Sequence, residues 1–122
     1  MRTTVVGVVA ACAIASGCGG GSSKREPNER DVAVIAASVS DVVYQCQAAA
    51  AGFIAGPDRK ALTRDVDRLV DVAGRVEADA RFRASRRSSA TTTLRDQVAV
   101  AVRSLRAECS PQQAERLEGI VG

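Results

Sequence analysis

Residues 28–56 read NERDVAVIAASVSDVVYQCQAAAAGFIAG, and the spacing of their apolar side chains decides the fold. Val32, Ile35, Val39, Val42, Cys46, Ala49 and Phe53 recur at alternating intervals of three and four, which places all seven on one face of an α-helix. Asn28 stands before the run as an N-cap, with Glu29 and Asp31 in the first turn, where the helix dipole favours carboxylates. Gly56-Pro57 is read as the end of this helix and the start of the next. Gly accepts the left-handed C′ conformation, and Pro suits a first turn that has no use for its N–H.

The same spacing recurs downstream. Leu62, Val66, Leu69, Ala73, Val76 and Ala80 form a second stripe, while Arg64, Asp65, Asp67, Arg68, Asp71, Arg75 and Asp79 fill the other faces. Arg81 to Thr93 interrupts the pattern with Ser and Thr. One of Ser89, Thr91, Thr92 or Thr93 caps a third helix that turns Leu94, Val98, Ala101, Leu105 and Cys109 inward. Ser110-Pro111 reads as an N-cap followed by Pro, opening a short last helix with Leu117 and Ile120. The Val-rich stretches carry helical periodicity, so no strand is expected. Three antiparallel helices of about 20 to 25 residues with short connections predict an all-α fold, a three-helix up-down-up bundle with a short fourth C-terminal helix.

Composition limits what such a bundle can do. The chain has 122 residues, 46% of them hydrophobic but only 2% aromatic, so its core is built from Val, Ala, Leu and Ile. Fifteen of the 17 basic residues are Arg, the others being Lys24 and Lys60, and the net charge is only +3. Blocks of one sign are short, which argues against a nucleic-acid partner.

The N-terminus carries an address. Arg2 supplies a positive segment, Val5 to Ile14 an apolar run too short to span a bilayer, and Ala15-Ser16-Gly17 the small residues that a signal peptidase needs. With Cys18 next and Gly19-Gly20-Gly21-Ser22-Ser23 after it, this stretch resembles the lipobox and tether of bacterial lipoproteins, of the style found in high-GC Gram-positive bacteria. The resemblance covers about the first 25 residues, with Ala15 where Leu is commonest. It implies a signal peptide over 1–17, removed with its Cys12, a diacylglyceryl group on the thiol of Cys18, and an address on the outer face of the cell membrane. Residues 18–28 then form a flexible tether, since Gly19 to Asn28 offers no apolar residue to bury, and 29–122 the helical domain.

With Cys12 discarded and Cys18 lipidated, Cys46 and Cys109 are the remaining thiols in an oxidising compartment, and a structural disulfide is expected between them. At ~1.5 Å per residue they fall within roughly 5 Å of the same height if the first and third helices run parallel. A metal pair would need further ligands from a chain without His, and a redox pair would take the form C-x-x-C, which is absent.

The missing His also removes Ser-His and Cys-His nucleophilic chemistry. Asp65, Asp67, Asp71, Glu77 and Asp79 alternate with Arg along the second helix and read as a solvated face, so no catalytic residue, metal site or cofactor is assigned. Arg81, Arg83, Arg86 and Arg87 form the densest charge cluster. They read either as a solvated helix end or as a site for anionic headgroups or envelope polymer. Phe53 is assigned to the core and Tyr44 toward the surface. Val34, Val70, Val72, Val100 and Val102 lie beside their stripes and either widen the core or expose an apolar strip to a partner. The function expected is that of a non-enzymatic binding or accessory module of the cell envelope, anchored by lipid and serving a protein partner.

Overall fold

A computed structural model describes residues 24–121; Cys18, the signal peptide and the first part of the tether lie outside the described residues. Four helices pack together: α1 (Glu29–Ala50), α2 (Arg59–Ala73), α3 (Leu94–Glu108) and α4 (Pro111–Val121). Between α2 and α3 sits an antiparallel pair of short strands, β1 (Arg81–Arg83) and β2 (Thr91–Thr93), with Phe82 opposite Thr92.

The N-termini form as their side chains dictate. Asn28 accepts from the Asp31 N–H at 2.9 Å, and the Asp31 carboxylate accepts from the Asn28 N–H at 3.0 Å, a reciprocal capping box. Thr93 caps α3 by accepting from the Asp96 N–H at 3.0 Å, and Ser110 Oγ accepts from the Gln113 N–H at 3.4 Å ahead of α4. The caps expected at Asn28, at Thr93 among its neighbours and at Ser110 are therefore present.

Helix ends depart from expectation. α1 stops at Ala50, one turn earlier than the Gly56-Pro57 reading, because Gly52 takes φ +82° and the Phe53 N–H folds back to the Ala48 carbonyl at 2.9 Å. Phe53 is thereby carried off the helix and is 83% exposed, so its assignment to the core is overturned. Asp58, not Pro57, opens α2, accepting from the Ala61 N–H at 3.1 Å.

α2 ends at Ala73 rather than near Ala80. Gly74 lowers helix propensity at that point, and the following chain finds other partners: the Arg25 N–H donates to the Arg75 carbonyl at 3.1 Å and the Glu77 N–H to the Arg25 carbonyl at 2.8 Å. Val76 stays fully buried without being helical. The expectation of no strand is also corrected, since Arg81–Arg83 and Thr91–Thr93 pair. Three successive β-branched Thr residues favour that conformation, and Phe82 between its two Arg neighbours turns toward the core.

The core is aliphatic. Ile35, Val42, Val66, Leu69, Leu105 and Leu117 are completely shielded from solvent. Val72 and Val102 are buried, and Val34, Val70 and Val100 are partly buried against the same cluster, so these five widen the core. Cys46 is bonded to Cys109 with their Cα atoms 5.2 Å apart, which joins the C-terminal end of α1 to the end of α3. α4 is held to α3 by a two-pronged Arg106–Glu118 pair and to α2 by Arg116–Asp67 at 2.7 Å.

Candidate functional site

Three places in the described residues carry charge or apolar surface beyond what the bundle needs. The first is the hairpin, where the Arg cluster lies: Arg81 and Arg83 belong to β1, and Arg86 and Arg87 to its turn. The reading of these four as a solvated helix end is therefore corrected to a strand and turn. They are not equivalent. Arg83 is spent on the turn itself, donating to the Ser88 carbonyl at 3.1 Å and to the Arg86 carbonyl, and Arg81 donates to Thr91 Oγ1 at 3.4 Å. Arg86 meets Glu29 at 3.6 Å, with both side chains 90% exposed. That contact brings the hairpin turn beside the first residue of α1. Between them lies a groove of about 710 Å³, lined from the start of α1 by Glu29, Val32, Ala33 and Ala36 and from the hairpin by Arg83 and Arg86.

The second place is a pair of carboxyls between α1 and α2. Asp65 is 2% exposed, a position the sequence reading gave to a solvated face. Burial first, and then the facing Asp41, push the Asp65 carboxyl up to about 7, against the pull of Arg64 and Arg68. Arg68 approaches no nearer than 4.0 Å. Neither Asp41 Oδ2 nor Asp65 Oδ2 finds a donor, and the buried Ser38 Oγ is also without a partner. A proton on Asp65, which its raised pKa favours, would give the pair the donor that it lacks. The signal for Asp65 was available: it falls three residues after Leu62 and four before Leu69, inside the apolar stripe.

Asp31 shows the opposite electrostatics at similar burial. The Arg25 guanidinium and the Asn28 N–H outweigh desolvation, with Arg75 at 3.4 Å adding to them, and hold its carboxyl below the usual carboxylate range. Asp79 is likewise held low by Arg95, which grips it with two donors at 2.8 and 3.1 Å while also donating to the Val121 carbonyl. Of the remaining acidic residues assigned to the solvated face of the second helix, Asp67 and Asp71 are exposed and paired with Arg116 and Arg75. Among the described residues no three of His, Cys, Asp and Glu come together as metal ligands.

The third place is the outer side of α1 and the turn that follows it. Tyr44 is 61% exposed, and with Phe53 it makes up the large exposed hydrophobic side chains of the described residues. From Val32 to Pro57 the single charged side chain is that of Asp41, half-buried toward α2. Comparison of the chain with family models, with curated proteins and with solved structures finds no match.

Proposed function

We propose that the protein is a lipid-anchored module of the cell envelope that acts by binding another protein and not by catalysis. In this reading Cys18 carries the lipid, the tether expected over 18–28 is cut back to 18–24 because Arg25 is bonded to Arg75 and Glu77, and the first three helices run up, down and up. The observation that carries the binding function is the outer side of α1, uncharged from Ala33 onward, with the exposed ring of Tyr44 on it and that of Phe53 on the turn after it. The join between the C-terminal end of α1 and the end of α3 supports the up-down-up course.

A second reading is favoured by the Arg86–Glu29 contact, which sets the hairpin turn beside the point where the chain arrives from its N-terminus. A lipid anchor at Cys18 would keep Arg86 and Arg87 within reach of anionic headgroups. Salt-sensitive association with anionic vesicles, lost when Arg86 and Arg87 become Gln, distinguishes this role from protein binding.

Fractionation of cells making the full chain tests the anchor. Cys18→Ala is expected in the soluble fraction, and its recovery wholly with membranes refutes the lipid attachment. Cross-linking of intact envelopes tests the binding. A salt-resistant adduct that disappears with Phe53→Ser supports it, and the same adduct in both chains, or none, removes it.

A further inference from the structure

We infer that the outer side of α1 is a self-association surface, on which a second copy of this chain packs antiparallel about a two-fold axis. This deepens the protein-binding reading by naming the partner, and it does not depend on the lipid anchor. Beyond its first turn α1 carries one charged side chain, that of Asp41, and so lacks the charged outer face of a solvated amphipathic helix. It is the helix among those described that is long and apolar enough to cross a membrane, yet only 33% of its most apolar window is buried. A membrane does not account for that, because its inner side is filled by α2 and α3 and Cys46 ties it to Cys109. A helix that is apolar on both sides is a helix covered on both sides.

Beyond the exposed Arg30 of the first turn, the exposed side consists of Ala33, Ala37, Ser40, Tyr44 and Gln47 and runs on to Ala51 after the helix, again at intervals of three and four. Five of the six are small or medium in size and none is charged, so two such faces approach closely without repulsion. Its two ends differ in a complementary way. At one end Phe53 projects from the turn after the helix; at the other lies the groove of about 710 Å³, lined by Val32, Ala33 and Ala36 together with Glu29, Arg83 and Arg86. Turned end for end, each copy brings its Phe53 to the other's groove, where the ring meets aliphatic carbon below and guanidinium groups beside it. The arrangement is isologous and closes on itself.

The area suffices. α1 is about 33 Å long, and a face about 10 Å wide gives roughly 330 Å² per copy. Two seated rings of ~150 Å² each, with the groove surface they cover, bring the total near 1,300 Å², within the range of specific assemblies.

A thiol-reactive cross-linker with two maleimides, applied to membranes holding the full chain before solubilisation, decides the matter. With Phe53 opposite Ala33 and its neighbours, Tyr44 lies next to its own copy, whereas the two Ala33 residues stand about 30 Å apart. Tyr44→Cys is therefore expected to give a species of twice the chain mass, Ala33→Cys none, and Phe53→Ser added to Tyr44→Cys about tenfold less of it. Equal linking through Ala33→Cys and Tyr44→Cys overturns the antiparallel pairing. A Tyr44→Cys chain that links only to a different protein overturns self-association while leaving the binding function standing. One that links to nothing, with the Cys46–Cys109 bond intact, removes both.

Discussion

Replacing Asp65 by Asn removes the titration that the bundle interior makes unfavourable, and its effect grows with pH in a way that no packing change reproduces. Asp65 is buried against Asp41, and its carboxyl is raised to about 7 from an ordinary value of 3.8. The folded chain thus holds a proton that the unfolded chain releases across this window, so stability falls as pH rises from about 4 to about 7. At about 1.4 kcal/mol for each unit of separation the full effect is on the order of 4 kcal/mol, a large part of what a domain of this size has. Asn keeps a donor for the Asp41 carboxylate and does not titrate. Asp65→Asn is expected to match the parent near pH 4.5 and to exceed it by about 3 kcal/mol near pH 8, measured as urea unfolding followed by helical circular dichroism. Asp31 and Asp79 do not confuse the result. Their carboxyls are held low, so their contributions are complete above the unfolded value and are lost only as pH falls below it toward their folded values. A parent whose stability is level or rising between about pH 5 and pH 8, or an Asn variant that declines as steeply as the parent, refutes the shared-proton account.

The disulfide and the capping box give two further tests. Cys109→Ser opens a loop spanning 63 residues and is expected to lower stability by about 4 kcal/mol by the chain-entropy argument; an unchanged urea midpoint in the variant, or a free thiol in the oxidised parent, counts against a structural bridge. Asp31→Asn removes the charge that Arg25 and Arg75 share and weakens the cap, at about 1–2 kcal/mol, with the loss present at neutral pH and vanishing as pH falls below the ordinary carboxylate range and the parent carboxylate is protonated. Proteolysis is expected to reach residues 24–28 sooner in that variant, and equal cutting rates contradict the link.

How far the sequence foretold this fold depended on whether a feature was local. The stripes from Val32 to Cys46 and from Leu94 to Leu105 are written in three-four spacing, and the caps at Asn28, Thr93 and Ser110 need only their own neighbours. The disulfide partner of Cys46 was legible by elimination once Cys12 and Cys18 were accounted for. What escaped was decided elsewhere in the chain. Nothing near Arg75 announces that the chain will leave the helix to pair with Arg25, fifty residues earlier. Each strand of the hairpin is three residues long, too short for the alternation over four to eight residues by which a half-buried strand is read. Choosing Gly56 over Gly52 as the end of α1 followed from the Pro beside it, and that choice misplaced Phe53. Asp65 was visible in the stripe and was read instead by its charge.

Arg25 also has a mechanical meaning. Its two backbone hydrogen bonds to Arg75 and Glu77 run alongside a parallel bridge, and its guanidinium grips Asp31 at the start of α1. A force applied to the N-terminal segment is therefore met first at this stitch, where two backbone hydrogen bonds to the chain after α2 share the load with the ion pair to the first turn of α1. The stitch spreads a pull over two elements that would otherwise fall on one.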